Sequence, residues 1–502
     1  MTHIPPFEEL HTRMLDVGNL HAAAAVLEWD QEVYMPSAGG PARGRQLATL
    51  NAQAHALFAA PEVADLLGHA QEQAGLTPDQ AALLEEIAYD YARASRIPGS
   101  LIRRFSKARS AAYQAWLEAR GRSDFALFLP HLKALIELCR EKAECLGYED
   151  TPYDALLEDY ERGMTTARLK PVFELLARRQ SDLVARIGRV SGKEAAPWLR
   201  QRWDTARQWE FTEFVLRDMG FDFKAGRQDR SAHPFTTNFS IHDVRITTRL
   251  SEDDFFSALF SSVHEGGHAL YEQGFREEDE GTLLASAPSL GIHESQSRLW
   301  ENVIGRSLPF WRHYLPALRA LYPGQLDRVD AEDLFKAANR VSPSLIRVEA
   351  DECTYNLHII LRFELEVALI EGKLEAEDVP SAWNEKIKHY LGLEVPNDAM
   401  GCLQDIHWSH GSFGYFPTYA LGNLYAAQLL ATMQRDIPGL WEEIGRGAFG
   451  ACLDWLREKV HRIGRRKTAV EIIREATGAD TGPDAFLDYL ESKYASLYNL
   501  HF

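Results

Sequence analysis

Residues 251–274 read SEDDFFSALFSSVHEGGHALYEQG, and the period of this stretch is that of a helix. Phe256, Leu259, Phe260 and Val263 recur at helical spacing and form one apolar face. Ser251 is a suitable N-cap, and Asp254 three residues on makes a capping-box-like pair with it. Gly274 stands where a helix commonly ends. On such a helix His264 and His268 lie on one face, a turn apart. Both imidazoles can then hold a single zinc ion, with Glu265 between them reaching the bound water. A structural pair of histidines is the competing reading, because an H-E-x-x-H string arises by chance in roughly a few per cent of chains this long. Gly266 and Gly267 weigh against it. Each glycine inside a helix costs roughly 1 kcal/mol relative to Ala, so the pair predicts close approach by another backbone or a ligand.

Working outward, the rest of the chain has the same period. Leu83, Leu84, Ile87, Ala88 and Tyr91 repeat at helical spacing, and similar patterns run from residue 8 to about 200 and from about 330 to the end. Ala22–Ala25 reads as a tight packing surface within a helix, and Pro36–Pro41 as a loop. The region 235–250 differs. It is rich in Thr, Phe, Ile and Val, with Asp243, Arg245 and Thr247 on one face of a strand and Val244 and Ile246 on the other. Such a sheet beside the metal helix can be a structural hairpin or can hold an extended peptide by edge pairing. The expected fold is mainly α, with a small β-sheet beside the metal-site helix. No repeat or low-complexity linker divides the chain. Residues 1–502 are read as one unit, with sub-regions at 1–230 (helical lobe), 231–420 (metal-site core) and 421–502 (C-terminal helices).

Composition bounds the partners. Hydrophobic residues make up 45% and charged residues 25% of the 502 residues, as in ordinary globular proteins. The net charge of −19, from 54 basic and 73 acidic residues, disfavours nucleic acid. No apolar run approaches the length of a membrane span. Met1–Glu9 lacks the basic patch and apolar core of a signal peptide. Cys139, Cys145, Cys353, Cys402 and Cys452 are odd in number and match no C-x-x-C site. Reduced thiols in a cytoplasmic protein are the simplest reading.

A catalytic zinc normally has three protein ligands and an open position for water. Downstream, residues 291–301 read GIHESQSRLWE, which suggests another helix. Glu294 and Glu301 share a face, so one can bind the metal while the other orients a ligand histidine from behind. His293 competes, although it points about 100° away from Glu294 around the axis. Helix geometry leaves these three open.

Several strings considered together have a family likeness. They are His233–Thr236 (HPFT), Asp243–Thr247 (DVRIT), His264–Gly274, His293–Ser297 (HESQS), Ile346–Asp351 (IRVEAD) and Gly401–Trp408 (GCLQDIHW). In this order they resemble the carboxypeptidase Taq family of metallocarboxypeptidases. Tyr153–Leu157 and the segment from Trp29 to Gln46 extend the likeness over nearly the whole chain, with Arg162 and Leu250 as small departures. The resemblance implies Glu294 as third ligand, a two-lobed helical body split by a deep groove with zinc at its base, and a homodimer. It also favours Arg347 as a recognition residue for the substrate.

The expected chemistry follows from the ligand set. A zinc ion on His264, His268 and Glu294 lowers the pKa of its water, and Co²⁺ can occupy such a site. Glu265 is then the general base. Oxyanion donors are sought in the stretch from His407 to Tyr419, where related helical zinc peptidases place a His-and-Tyr loop. His410 with Tyr415 or Tyr419 are the candidates, and Trp408 is read as core. A terminal carboxylate needs a cation, preferably Arg with its planar fork. Arg347 and Arg245 are the candidates, against the competing readings of a pair with Asp351 and a contact with Asp243. The expected activity is release of C-terminal residues from peptides with broad preference. An internally cutting zinc oligopeptidase and a non-catalytic helical scaffold with a peptide groove are the alternatives.

Overall fold

A computed structural model of the chain describes residues 4–190 and 196–500. Met1–His3, the first part of the opening stretch read above, fall outside them. Among the described residues the polypeptide forms twenty α-helices and one small sheet. The first four helices, α1 (Pro6–Val33), α2 (Gly40–Phe58), α3 (Pro61–Gln71) and α4 (Pro78–Arg96), share their own hydrophobic cluster. The period read in α4 is the one that packs: Leu83, Leu84 and Ile87 are buried. Thr77 caps α4 through a capping box with Gln80. Within the alanine run of α1, Ala24 is buried, Ala22 and Ala25 are half-buried and Ala23 is exposed, so the run packs on one side.

The second and larger cluster takes the rest of the fold. It includes α5 (Gly99–Arg122), α6 (Phe125–Leu146), α7 (Pro152–Leu157), α8 (Thr166–Val190) and α9 (Thr205–Met219). After the sheet come α10 (Ser257–Glu272), α11 (Leu290–Arg298), α12 (Leu308–Leu321), α13 (Ala331–Ala338), α14 (Glu352–Ile370) and α15 (Val379–Leu391). The chain closes with α16 (Pro417–Asp436), α17 (Leu440–Ile444), α18 (Gly450–Lys459), α19 (Ala469–Thr477) and α20 (Asp484–Tyr498). Ion pairs join the two clusters: Arg465 meets Asp90 and Glu86, and Arg276 and Arg466 both meet Asp79. Arg162, one of the family departures, bonds Glu86 at 2.7 Å and stacks on Tyr89.

The sheet has the order β1-β3-β2, with β1 (Gly226–Arg230) parallel and β2 (Thr236–Ser240) antiparallel to β3 (Asp243–Thr248). The alternation read in β3 holds as far as Ile246, with Val244 and Ile246 buried and Asp243 and Arg245 partly exposed, but Thr247, expected on the face of Asp243 and Arg245, is buried as well. Strand β1 was missed because its sequence, GRQDR, carries no β-branched or aromatic residue. Its pairing with β3 supplies what local propensity does not.

The helix expected from Ser251 starts six residues later, at Ser257. The Oδ1 of Asp254 accepts hydrogen bonds from the amides of Phe256 and Ser257, and so caps the turn that leads in. No Ser251–Asp254 capping box forms, because Ser251 bonds Asp253 and Gln208 instead. Gly274 does follow the C-cap of α10, but at ordinary φ. Its role is steric: a Cβ there would lie 2.3 Å from Nδ1 of His461.

Candidate active site

The paired glycines of α10 explain how the site assembles. A Cβ on Gly267 would stand 2.7 Å from Cα of Ser297 and 2.8 Å from the carbonyl oxygen of Gln296. Helix α11 therefore packs backbone-close against α10. On its other side a Cβ on Gly422 of α16 would lie 2.5 Å from Cγ of Glu294. Held between two glycines, α11 brings Glu294 to the histidines. The Oε2 of Glu294 lies 3.7 Å from Nε2 of His264 and 3.4 Å from Nε2 of His268. These three side chains form a group whose ligand atoms all lie within 4.8 Å of one another. Two imidazole nitrogens and one carboxylate oxygen are a donor set suited to Zn²⁺ and related divalent ions.

Each member of this set is held from behind. Glu301 Oε2 is 2.9 Å from Nδ1 of His264, and it sits on a π-helical turn, Leu299–Ile304, that continues α11. Arg298 Nε donates to Oε1 of Glu294 at 2.7 Å, which leaves Oε2 to face the histidines. Burial disfavours charge on the Glu294 carboxylate, yet Arg298 and His264 hold its pKa well below the usual range. Burial likewise opposes protonation of His264, but Glu294 and Glu301 outweigh it and raise the imidazole to about 8. His268 lacks a carboxylate behind it, and burial together with His293 lowers it to about 3.

A cavity of about 680 Å³ opens beside the triad. Glu265 lines it, with its Oε2 accepting from the Thr236 hydroxyl of β2 at 2.6 Å. Burial raises the Glu265 carboxyl above its ordinary value. Arg347, Tyr355 and Tyr419 line the same cavity. Arg347 is 6% exposed. Its Nε donates to Oδ1 of Asp405 at 2.9 Å and its Nη1 to the Tyr355 hydroxyl at 2.9 Å. Asp405 is shared: its Oδ2 takes Nε of the fully buried Arg362 at 2.8 Å. Two guanidiniums thus share the one carboxylate of Asp405.

The other residues named from the sequence fall differently. Tyr419 lines the cavity, with its hydroxyl 3.4 Å from Nε2 of His407. Tyr415 is not in the lining and packs on Tyr419, His407 and Tyr160. His410 is also outside the lining, and its ring lies 5.6 Å from that of Tyr113. The 3-10 turn His407–His410 separates the two histidines, and it is His407 that faces the tyrosines. Burial lowers the His407 imidazole to about 3, so it is neutral. Arg245 does not reach the cavity lining. Asp243 holds it through two bonds of 2.8 Å, and it stacks over Trp29 and Phe239. The pair read between Arg347 and Asp351 does not form; Asp351 caps α14 instead. Sequence reasoning passed over His407 and Arg298. His407 stood inside a quoted motif, and Arg298 follows Glu294 by one helical turn, the spacing of an ion pair.

A sequence model of the Carboxypeptidase Taq (M32) metallopeptidase family matches residues 9–494. Thermostable carboxypeptidase 1 of Thermus thermophilus is 41% identical over 511 residues, covering 99% of this chain and 100% of its own. Carboxypeptidase 1 of Bacillus subtilis is 39% identical over 485 residues, covering 96% of this chain and 97% of its own. Among solved structures, the M32 carboxypeptidase of Deinococcus radiodurans superposes with a TM-score of 0.97 at 39% identity, covering 99% of this chain and 100% of that one. The fold, the converging metal donors and the full-length likeness agree, and the chain belongs to the carboxypeptidase Taq (M32) family as a metallocarboxypeptidase.

Proposed function

We propose that the chain is a zinc carboxypeptidase of broad preference in which His264, His268 and Glu294 hold the metal and Glu265 is the general base. The observation that carries this reading is the meeting of two Nε2 atoms with Oε2 of Glu294 beside a buried Glu265. Zn²⁺, or Co²⁺ in its place, would when bound polarise the attacking water and the scissile carbonyl. Glu265 accepts a proton from that water and delivers it to the departing amine as the C–N bond breaks. Thr236 holds one oxygen of Glu265 and leaves the other for this transfer. The Tyr419 hydroxyl donates to the carbonyl oxygen as negative charge grows there. His407 supports Tyr419, while Tyr415 and His410 act from behind as packing for this loop. The Arg347 guanidinium receives the terminal carboxylate. Arg245 keeps Trp29 against β3 and acts on binding only indirectly.

The whole chain, 1–502, works as one peptidase unit with the sub-regions 1–230, 231–420 and 421–502. It is a homodimer in the cytoplasm, acting on peptides rather than nucleic acid. The net charge of −19 and the free cysteines support the last points. Among the described residues no helix is long and apolar enough to cross a membrane. The test is hydrolysis of an N-blocked dipeptide, with and without chelator and with added Zn²⁺ or Co²⁺, beside the same peptide amidated at its C-terminus. Activity that needs metal and a free carboxylate is expected. Equal rates on the amidated peptide would turn the reading toward internal cleavage.

A further inference from the structure

The two histidines of the metal helix are equivalent in the motif but not in what stands behind them. Nδ1 of His264 meets a carboxylate directly, Glu301 at 2.9 Å. Nδ1 of His268 meets none. It lies 3.1 Å from the carbonyl oxygen of His293 and 2.6 Å from Nδ1 of the His293 ring. The far nitrogen of that ring, Nε2, is 2.7 Å from Oε1 of Glu272. Oε2 of Glu272 accepts from Nδ2 of Asn238 at 2.6 Å.

With both rings neutral, hydrogen bonding allows one arrangement of protons along this line that satisfies every group. A carboxylate only accepts, so Nε2 of His293 carries the hydrogen that it donates to Glu272. Nδ1 of His293 is then a lone pair. Nδ1 of His268 carries a hydrogen and donates it, which leaves Nε2 of His268 bare on the side of Glu294. That is the tautomer a metal ligand needs. The helices supply the spacing. Glu272 stands one turn after His268 on α10, and His293 immediately precedes Glu294 on α11. Asn238 reaches Glu272 from β2, the strand whose Thr236 also holds Glu265.

We propose that His293 is a positioning residue that relays the carboxylate of Glu272 to the metal ligand His268, in place of the direct carboxylate that backs His264. The inference rests on the metal reading above. It assigns His293 a place behind the ligands, not among them, in keeping with its absence from the triad whose ligand atoms converge. Partners of this kind orient the ring and make its other nitrogen a better donor, and their loss weakens metal binding by about ten- to a hundred-fold.

The test measures Zn²⁺ affinity of the full chain by competition with a chromophoric chelator, with melting of the metal-free protein recorded alongside. His293→Leu is expected to bind Zn²⁺ about ten- to a hundred-fold more weakly than wild type. His293→Gln is expected to recover most of the loss, since its amide can accept from His268 and donate to Glu272. Glu272→Gln keeps an acceptor and removes the charge, and is expected to fall between the two. It supplies the answer should His293→Leu melt early without metal. Wild-type affinity in both His293→Leu and Glu272→Gln would overturn the relay, as would a His293→Gln variant no better than His293→Leu. Undiminished Zn²⁺ binding by His264→Ala would instead overturn the ligand assignment itself.

Discussion

Glu265 and Thr236 form the smallest unit of the site, a carboxylate with one oxygen tied to a hydroxyl at 2.6 Å. Glu265→Gln keeps the shape and the metal donors but cannot accept a proton. Turnover should fall by about 10²–10⁴-fold while metal content per chain stays at wild type, as measured by elemental analysis; full activity would remove Glu265 from its role. Thr236→Val deletes the hydroxyl only. A hydrogen bond to a charged group contributes about 1.5–3 kcal/mol, so kcat should drop by at least about ten-fold with KM little changed, and Thr236→Ser should restore it. In the same cavity, Arg347→Gln leaves Asp405 paired with Arg362, so the fold tolerates the change. KM for a blocked dipeptide should rise by about ten-fold or more as the guanidinium is lost, and a KM equal to wild type would place the carboxylate elsewhere.

The element that decides the site is α11, and its neighbours decide where it lies. Gly266 and Gly267 are adjacent and both helical, yet substitution should separate them. At Gly267 the nearest atoms to a new methyl are backbone, Ser297 Cα at 2.7 Å and Gln296 O at 2.8 Å, which no rotamer change can relieve. Overpacking of about 1–3 kcal/mol exceeds the gain of about 1 kcal/mol in helix propensity. Gly267→Ala should therefore lower the melting temperature and weaken Zn²⁺ binding by pushing Glu294 away from the histidines. At Gly266 the nearest atom is the end of a side chain, Leu216 Cδ2 at 2.5 Å, which can swing aside. Gly266→Ala should change both readouts much less, and equal damage at the two positions would refute this account of the helix contact.

On the scale of the whole molecule, two fully buried carboxylates tie separate segments to the site. Glu366 accepts from the Tyr153 hydroxyl at 2.7 Å, the Trp408 indole at 2.9 Å and the Gly414 amide at 3.0 Å. It thereby anchors both ends of the loop that carries His410. Glu161 takes the Tyr425 hydroxyl at 2.8 Å and the Gly291 amide at 3.0 Å, at the start of α11. Burial pushes each carboxyl up to about 7. The native state then holds a proton that the unfolded chain releases above about 4.3. Their contribution is fully present below that value and is lost as pH rises through 7, by at most roughly 4 kcal/mol each. Asp405, Glu294 and Glu301 are depressed and act in the reverse sense, losing their contribution only as the medium becomes strongly acidic. Denaturation of the metal-free protein between pH 5 and 8 should show the wild type losing stability relative to Glu366→Gln as pH rises. Parallel profiles for the two would show that Glu366 does not titrate in this window.

Much of this was present in the order of residues, because helix period and ligand spacing are local properties. The four-residue spacing of His264 and His268 places both imidazoles on one face wherever the helix packs. The mainly α class and the small sheet beside the metal helix follow from the same short-range patterns. Other features depend on which backbone crosses which, and at what distance. Helix geometry left His293, Glu294 and Glu301 open, the family resemblance pointed to Glu294, and the approach of α11 to Gly267 and Gly422 sets Glu294 against the histidines with the other two behind. The placing of His407 rather than His410 beside Tyr419, the stacking of Arg245 on Trp29 and the existence of β1 have the same origin. Each is a contact between separate elements of the fold, and such contacts leave no periodic trace in the residues that make them.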